Sequence, residues 1–300
     1  MSRVRWQDVA ERGSALGIWF FVLLVTLCGR TAGRAFLRVV ILYYALLHRT
    51  ARRASRDYLS RIGVATSFWG TYRHLLCFGQ CLLDRIFLVR GRTDLFEVRE
   101  HGKEHLERLL LERRGAILLG AHLGSFEAMS AAANAQAMPI SIVVNTKNAR
   151  RINHALDVIG SGPRTRIVEL GDGGLDFIFR MRESIERGEL VGMMGDRVGN
   201  DQRRVEVPFL GDRAALPIGA YLVAAALKCP IYLTFGVHMG GNRYDLYCEP
   251  FEERVDLPRH ARQRALEELA GRYAVRLEHY CRLAPLNWFN FFDFWSVTSG

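Results

Sequence analysis

From about residue 116 to residue 237, short apolar runs alternate with longer stretches of helical spacing, and this alternation leaves the chain few architectures. Residues 116–119 (AILL) lie between glycines and read as a buried strand. Residues 126–137, rich in Ala, read as a helix that Pro139 stops, and residues 140–144 (ISIVV) as the next strand. The rhythm continues with strands over 167–170, 190–194 and 231–237 and helices over 175–187 and 216–227. A strand over 243–248 and a long charged amphipathic helix over 259–280 follow. Upstream, residues 54–90 carry helical spacing, Phe96 and Val98 suggest a short strand, and residues 102–115 a helix. Strands separated by helices imply an α/β fold around a mixed, mainly parallel central sheet. In such sheets ligands bind outside the carboxyl ends of the strands.

The N-terminal region has a different character. Residues 14–28 (SALGIWFFVLLVTLC) hold no charge, yet as a helix they would span only about 22 Å, short of a hydrocarbon layer of about 30 Å. A second apolar run, 39–47, follows Arg34 and Arg38. Eleven arginines face three acids in residues 1–61, so eight of the ten net positive charges lie there. Charge that brackets apolar runs suits anionic lipid headgroups better than nucleic acid, which needs charge spread through a binding fold. Asp8 and Glu11 argue against a cleaved secretory signal. The expected organisation is a membrane-anchoring and basic amphipathic region over 1–60 and a catalytic domain over 61–300. A buried helix of the globular domain is the plainer alternative for 14–28.

His122 falls in the loop GAHLGS immediately after the AILL strand, with Glu127 five residues on. A carboxylate bonded to one imidazole nitrogen fixes the tautomer and frees the other nitrogen to take a proton from a hydroxyl. Residues five apart on a helix point about 140° apart. The two therefore meet more easily if His122 precedes the first turn, with Ser125 as the helix cap and Gly120 and Gly124 giving the loop its freedom. Taken by spacing alone, a His that caps a helix and a Glu in its first turn fit a structural role better than a catalytic one. HExxH, GxSxG and GxxxxGK[ST] are all absent. A second polar cluster, Gly195-Asp196-Arg197, follows the strand over 190–194; Arg197 could bind a phosphate bidentately with Asp196 orienting its guanidinium, or the three could be a surface turn with a local ion pair. The six cysteines show no paired metal-type spacing; Cys77 and Cys81 share a helix face and read as small buried hydrophobes.

The ordered set HLGSFE, GDR, VPFLG and the helix after Pro217 resembles the lysophospholipid acyltransferase superfamily, and within it the late lipid A (lauroyl and myristoyl) acyltransferases. The resemblance implies a glycerol-phosphate-acyltransferase-like domain that needs no cofactor beyond its acyl thioester co-substrate. The acyl group would pass from acyl carrier protein or coenzyme A to a hydroxyl of a lipid or glycolipid, at the cytoplasmic face of a bacterial inner membrane. It makes His122 the general base and Glu127 its orienting partner. Asp196, Arg197, Asn145, Lys147, Gly124 and Ser125 would then contact substrate. The ending NWFNFFDFW departs from that branch and is closer to the aryl-polyene-associated sister group. Its aromatics could form an interfacial belt, line an acyl channel, or add a core strand to the sheet. A lipid esterase or thioesterase, and a non-catalytic membrane adaptor of the same fold, remain the rival functions.

Overall fold

The computed structural model describes residues 15–144, 165–169, 175–199 and 203–295. Asn145 and Lys147 lie outside them. The described residues begin with α1 (Ala15–Leu47), α2 (Arg49–Arg61) and α3 (Phe68–Val89), then β1 (Glu97–His101), α4 (Lys103–Leu111), β2 (Ala116–Gly120), α5 (Phe126–Ala135) and β3 (Ile140–Val144). After them come β4 (Thr165–Glu169), α6 (Leu175–Glu186), β5 (Leu190–Met194), β6 (Arg204–Phe209), β7 (Asp212–Pro217) and α7 (Gly219–Leu227). The chain ends with β8 (Ile231–Gly240), β9 (Arg243–Glu252) and α8 (Arg262–Leu283).

Seven strands form one sheet in the order β1-β9-β8-β2-β5-β3-β4; only the β8–β9 pair is antiparallel. This is the mixed, mainly parallel sheet expected from the alternation. Every residue of β2 is buried because both faces are covered. Ile117 and Leu119 point into a core shared with α7 and α8, whereas Ala116 and Leu118 meet Leu109 of α4 and Ala133 of α5. In α8 the buried positions Leu266, Leu269, Tyr273, Leu277 and Tyr280 recur every three or four residues, the stripe that seats a helix on a sheet.

Two features differ from expectation. β6 and β7 form a separate antiparallel hairpin, where the sequence suggested only a helix from 216. Its signal is the alternation of buried Val205, Val207 and Phe209 with exposed or half-exposed neighbours. The aromatic ending is buried, as the core reading had it, but among the described residues it is not a sheet strand: it forms an isolated bridge at Trp288, antiparallel with Leu123.

The N-terminal helix bends at Gly29, where φ is +80°. No described helix is long and apolar enough to cross a membrane. Beyond the bend α1 packs along α3: a Cβ on Gly79 would lie 3.1 Å from Ile41 and 3.2 Å from Leu37. Arg30 makes a two-pronged ion pair with buried Asp84 (2.7 and 2.8 Å), and Arg30 and Arg34 both donate to the Gly241 carbonyl. Two arginines of the basic region are thus engaged inside the protein. Leu23, Leu27, Val39, Tyr43, Leu46 and Leu47 of α1 remain exposed, as does Trp69 of α3.

Candidate active site

Strand register brings the site together. Gly120 and Met194 are partners at the carboxyl ends of β2 and β5, and the Gly195 N–H donates to the Gly120 carbonyl at 2.9 Å. His122 and Asp196 each lie two residues beyond that pair, on neighbouring chains about 4.8 Å apart. Their side chains meet: His122 Nδ1 is 2.8 Å from Asp196 Oδ1, and the His122 backbone N–H donates to Oδ2 at 3.0 Å. A side chain on Gly195 would spoil this approach, since its Cβ would sit 2.8 Å from Leu119 and 3.0 Å from Tyr273. The Tyr273 hydroxyl holds the same strand end through the Gly120 carbonyl, at 2.8 Å.

Asp196 is fully buried. Oδ2 also accepts from Trp288 Nε1 (3.2 Å) and Asn290 Nδ2 (2.8 Å), so four N–H groups converge on one carboxylate. Burial alone would raise its pKa. The His122 charge and hydrogen bond outweigh that, with Arg197 and Asn290 behind them, and hold Asp196 well below the usual carboxylate range. With an anionic acceptor at Nδ1, the proton of the neutral ring sits there and Nε2 presents its lone pair. The His122 side chain is 32% exposed, enough to meet a substrate. Burial first, and the Arg197 charge second, depress its pKa below the ordinary imidazole value, while Asp196 and Glu127 oppose them. The ring is therefore chiefly neutral at pH 7, the state a base requires.

Arg197 stands behind this pair. Burial lowers its pKa to about 10 in spite of Asp196, so it stays charged at neutral pH. Its Nε donates to Asn290 Oδ1 at 2.7 Å and its Nη2 to the Phe289 carbonyl at 2.9 Å.

Glu127 occupies a different position from the one its spacing suggested. In the first turn of α5 it forms an ion pair with Arg85 of α3 at 3.0 Å and accepts a long hydrogen bond from Ser125 Oγ at 3.4 Å. It makes no hydrogen bond to His122 and acts on the imidazole only through space. The reason is geometric: the loop holds His122 over the β2–β5 edge, whereas α5 aims Glu127 at α3. Ser125 caps α5 as expected, accepting from the Ala128 N–H at 3.1 Å. Gly124 has φ +70°, and a Cβ there would come within 1.9 Å of the Gly236 carbonyl oxygen. Both residues are engaged in shaping the loop.

The residues that sequence reasoning missed hold the loop from the other side. Gly124 N–H donates to the Asn287 carbonyl (2.8 Å), Ser125 N–H to Gly236 (2.6 Å) and Phe289 N–H to the His122 carbonyl (2.7 Å). The Asn287 side chain clamps the His238 N–H and C=O (2.8 and 3.0 Å). Buried His74 bridges Trp288 O and Ser55 Oγ, both at 2.9 Å; burial pushes its pKa down to about 4, so Nε2–H donates and Nδ1 accepts. The one available signal was the pair of Asn residues embedded in an aromatic run. An apolar cavity beneath α5, bounded by Leu118, Phe126, Met129, Gly192 and Thr234 among others, is lined by neither His122 nor Asp196.

A model of the bacterial lipid A biosynthesis acyltransferase family matches residues 89–295, more than two-thirds of the chain. The chain belongs to that family. The matched span takes in His122, Asp196, Arg197 and the 287–290 segment, while the buttressing residues His74 and Arg85 precede it. No curated protein matches the chain. Membership makes this an acyltransferase acting on lipid, with an acyl donor and a lipid acceptor to accommodate. A partly exposed neutral imidazole held by a buried carboxylate suits such a transfer.

Proposed function

We propose that this acyltransferase moves a fatty or aryl polyenoyl group from an acyl carrier protein or coenzyme A thioester to a hydroxyl of a lipid or glycolipid. In this reading His122 Nε2 takes the proton from the acceptor hydroxyl as its oxygen attacks the thioester carbonyl. The imidazolium that forms is stabilised by Asp196, and the positive charge of Arg197 favours the oxyanion of the tetrahedral intermediate. On its collapse the carbon–sulfur bond breaks and the thiolate leaves with the proton held by His122. Asp196, rather than Glu127, is the orienting carboxylate; Glu127 with Arg85 positions α5 and its loop against α3. The observation that carries this reading is the 2.8 Å contact between His122 Nδ1 and a buried, fully hydrogen-bonded Asp196.

Association with the cytoplasmic face of a bacterial inner membrane is part of the proposal. The exposed apolar side chains of α1 and Trp69, beside arginines at 38, 49, 53 and 56, suit a helix lying in a headgroup layer rather than crossing it. Acyl carrier protein is acidic, and such a surface would also steer it. Mass spectrometry of lipids and pigments from cells lacking the chain tests the acceptor. A lipid or aryl polyene species should lose one acyl group and regain it on complementation. If the purified chain instead releases free fatty acid from the thioester at the same rate with and without lipid, water is the acceptor and the transferase reading fails.

A further inference from the structure

Beside the site, on the other side of the Asn287 clamp, Cys77, Cys81 and His238 bring three ligand atoms within 4.8 Å of one another. Cys77 and Cys81 are one helical turn apart on α3; His238 enters from β8, 161 positions from Cys77, which is why spacing in the sequence gave no sign of it. All three side chains are buried. We propose that these three residues bind a zinc ion that staples α3 to β8 behind the catalytic loop.

Several observations support a metal over a cluster of inert core residues. The His238 nitrogen that faces the thiols, Nδ1, has no conventional hydrogen bond: its one polar neighbour is the Cys77 sulfur at 3.7 Å. An unsatisfied buried polar atom is costly, and buried imidazoles are ordinarily bonded. Zinc bonds of about 2.3 Å to sulfur and 2.0–2.1 Å to nitrogen at tetrahedral angles separate the donors by roughly 3.5–3.8 Å. The 3.7 Å between Cys77 Sγ and His238 Nδ1 falls in that range. Two thiolates and a neutral imidazole around a divalent ion sum to zero charge. Neutrality suits a dry site and disfavours monovalent copper, which would leave a buried negative charge. Binding releases the two thiol protons.

The surroundings also have the order of an outer shell. The Tyr244 hydroxyl lies 4.0 Å from Cys81 Sγ and donates to Asp84 at 2.9 Å, and Asp84 is held in turn by Arg30. The ion would stiffen both supports of the catalytic loop at once. α3 carries His74 and Arg85, and the His238 backbone is gripped by the side chain of Asn287, a residue whose backbone carbonyl receives Gly124 N–H.

Because the ligands are buried, the test uses the full-length, untagged chain expressed in minimal medium supplemented with zinc or with cobalt. Zinc-grown protein should contain one zinc per chain, and cobalt-grown protein should show thiolate-to-cobalt charge transfer from its two cysteines. Cys77→Ser and His238→Gln should lose the metal and melt several degrees lower, while wild-type chain refolded with chelator should melt with them. Wild-type chain that folds with no zinc and gives no thiolate–cobalt absorption, or that takes up copper alone, would overturn the proposal whether or not the variants fold.

Discussion

Replacing Asp196 with Asn separates a catalytic carboxylate from a structural one, and the hydrogen-bond pattern sets the outcome. Three donors (the His122 backbone N–H, Trp288 Nε1 and Asn290 Nδ2) converge on Oδ2, and one, His122 Nδ1, meets Oδ1. An Asn side chain keeps the most hydrogen bonds by placing its carbonyl oxygen at the Oδ2 position. Facing a buried donor with another donor costs about 1–3 kcal/mol per clash, so the reverse orientation is disfavoured. The amide NH2 then faces His122 Nδ1, which must become an acceptor, and the ring proton moves to Nε2. The base is lost without losing the fold. A comparable exchange in a His–carboxylate pair costs on the order of 10⁴ in kcat. That corresponds to about 5 kcal/mol of barrier, at about 1.4 kcal/mol for each factor of ten. The assay is the steady-state transfer of labelled acyl groups from a thioester to extracted lipid, with thermal unfolding alongside. Asp196→Asn should lower kcat by about 10³–10⁴-fold with KM little changed and a melting temperature near wild type. A variant that keeps a tenth or more of wild-type kcat would refute the tautomer argument.

Three further outcomes follow from the geometry. Glu127→Gln breaks the partly exposed pair with Arg85, a contact worth about 1 kcal/mol or less, so the same assay should show less than a tenfold loss; a loss matching that of Asp196→Asn would return the orienting role to Glu127. Gly124→Ala places a Cβ against the Gly236 carbonyl at a positive φ and must displace the loop; misplacement of about 1 Å costs on the order of 100-fold in rate, and activity near wild type would show that the loop tolerates the shift. His74, buried with a pKa of about 4 against about 6.5 unfolded, binds its proton more readily when unfolded. Its contribution is therefore complete above about pH 6.5 and is lost as pH falls toward 4. Denaturant titrations should show about 2 kcal/mol lost between pH 7 and pH 5 from this group, a difference that His74→Gln abolishes.

Most of the α/β frame was legible because its signals are local. The runs AILL, ISIVV and LVGMM became β2, β3 and β5, and Ser125 capped the helix that its position announced. The candidate site is legible by residue and not by pairing. His122 and Asp196 both stood out at strand ends, but they are 74 positions apart, and only the β2–β5 register brings them together. Glu127, near in sequence, invites the contact with His122 that register gives to Asp196. In the segment around Asn287, Trp288 and Asn290 the aromatics stand out in the sequence, while its backbone carbonyls and amide side chains do the holding. Such contacts carry no periodicity for a sequence pattern to report.

Single-turnover transfer by purified His122→Ala bears most directly on the central claim. With acyl thioester and lipid acceptor both saturating, formation of acyl-lipid should fall by at least about a thousandfold while the variant stays folded, since it removes the only proposed proton acceptor. Acyl-lipid formed by His122→Ala at a rate within tenfold of wild type would contradict the account.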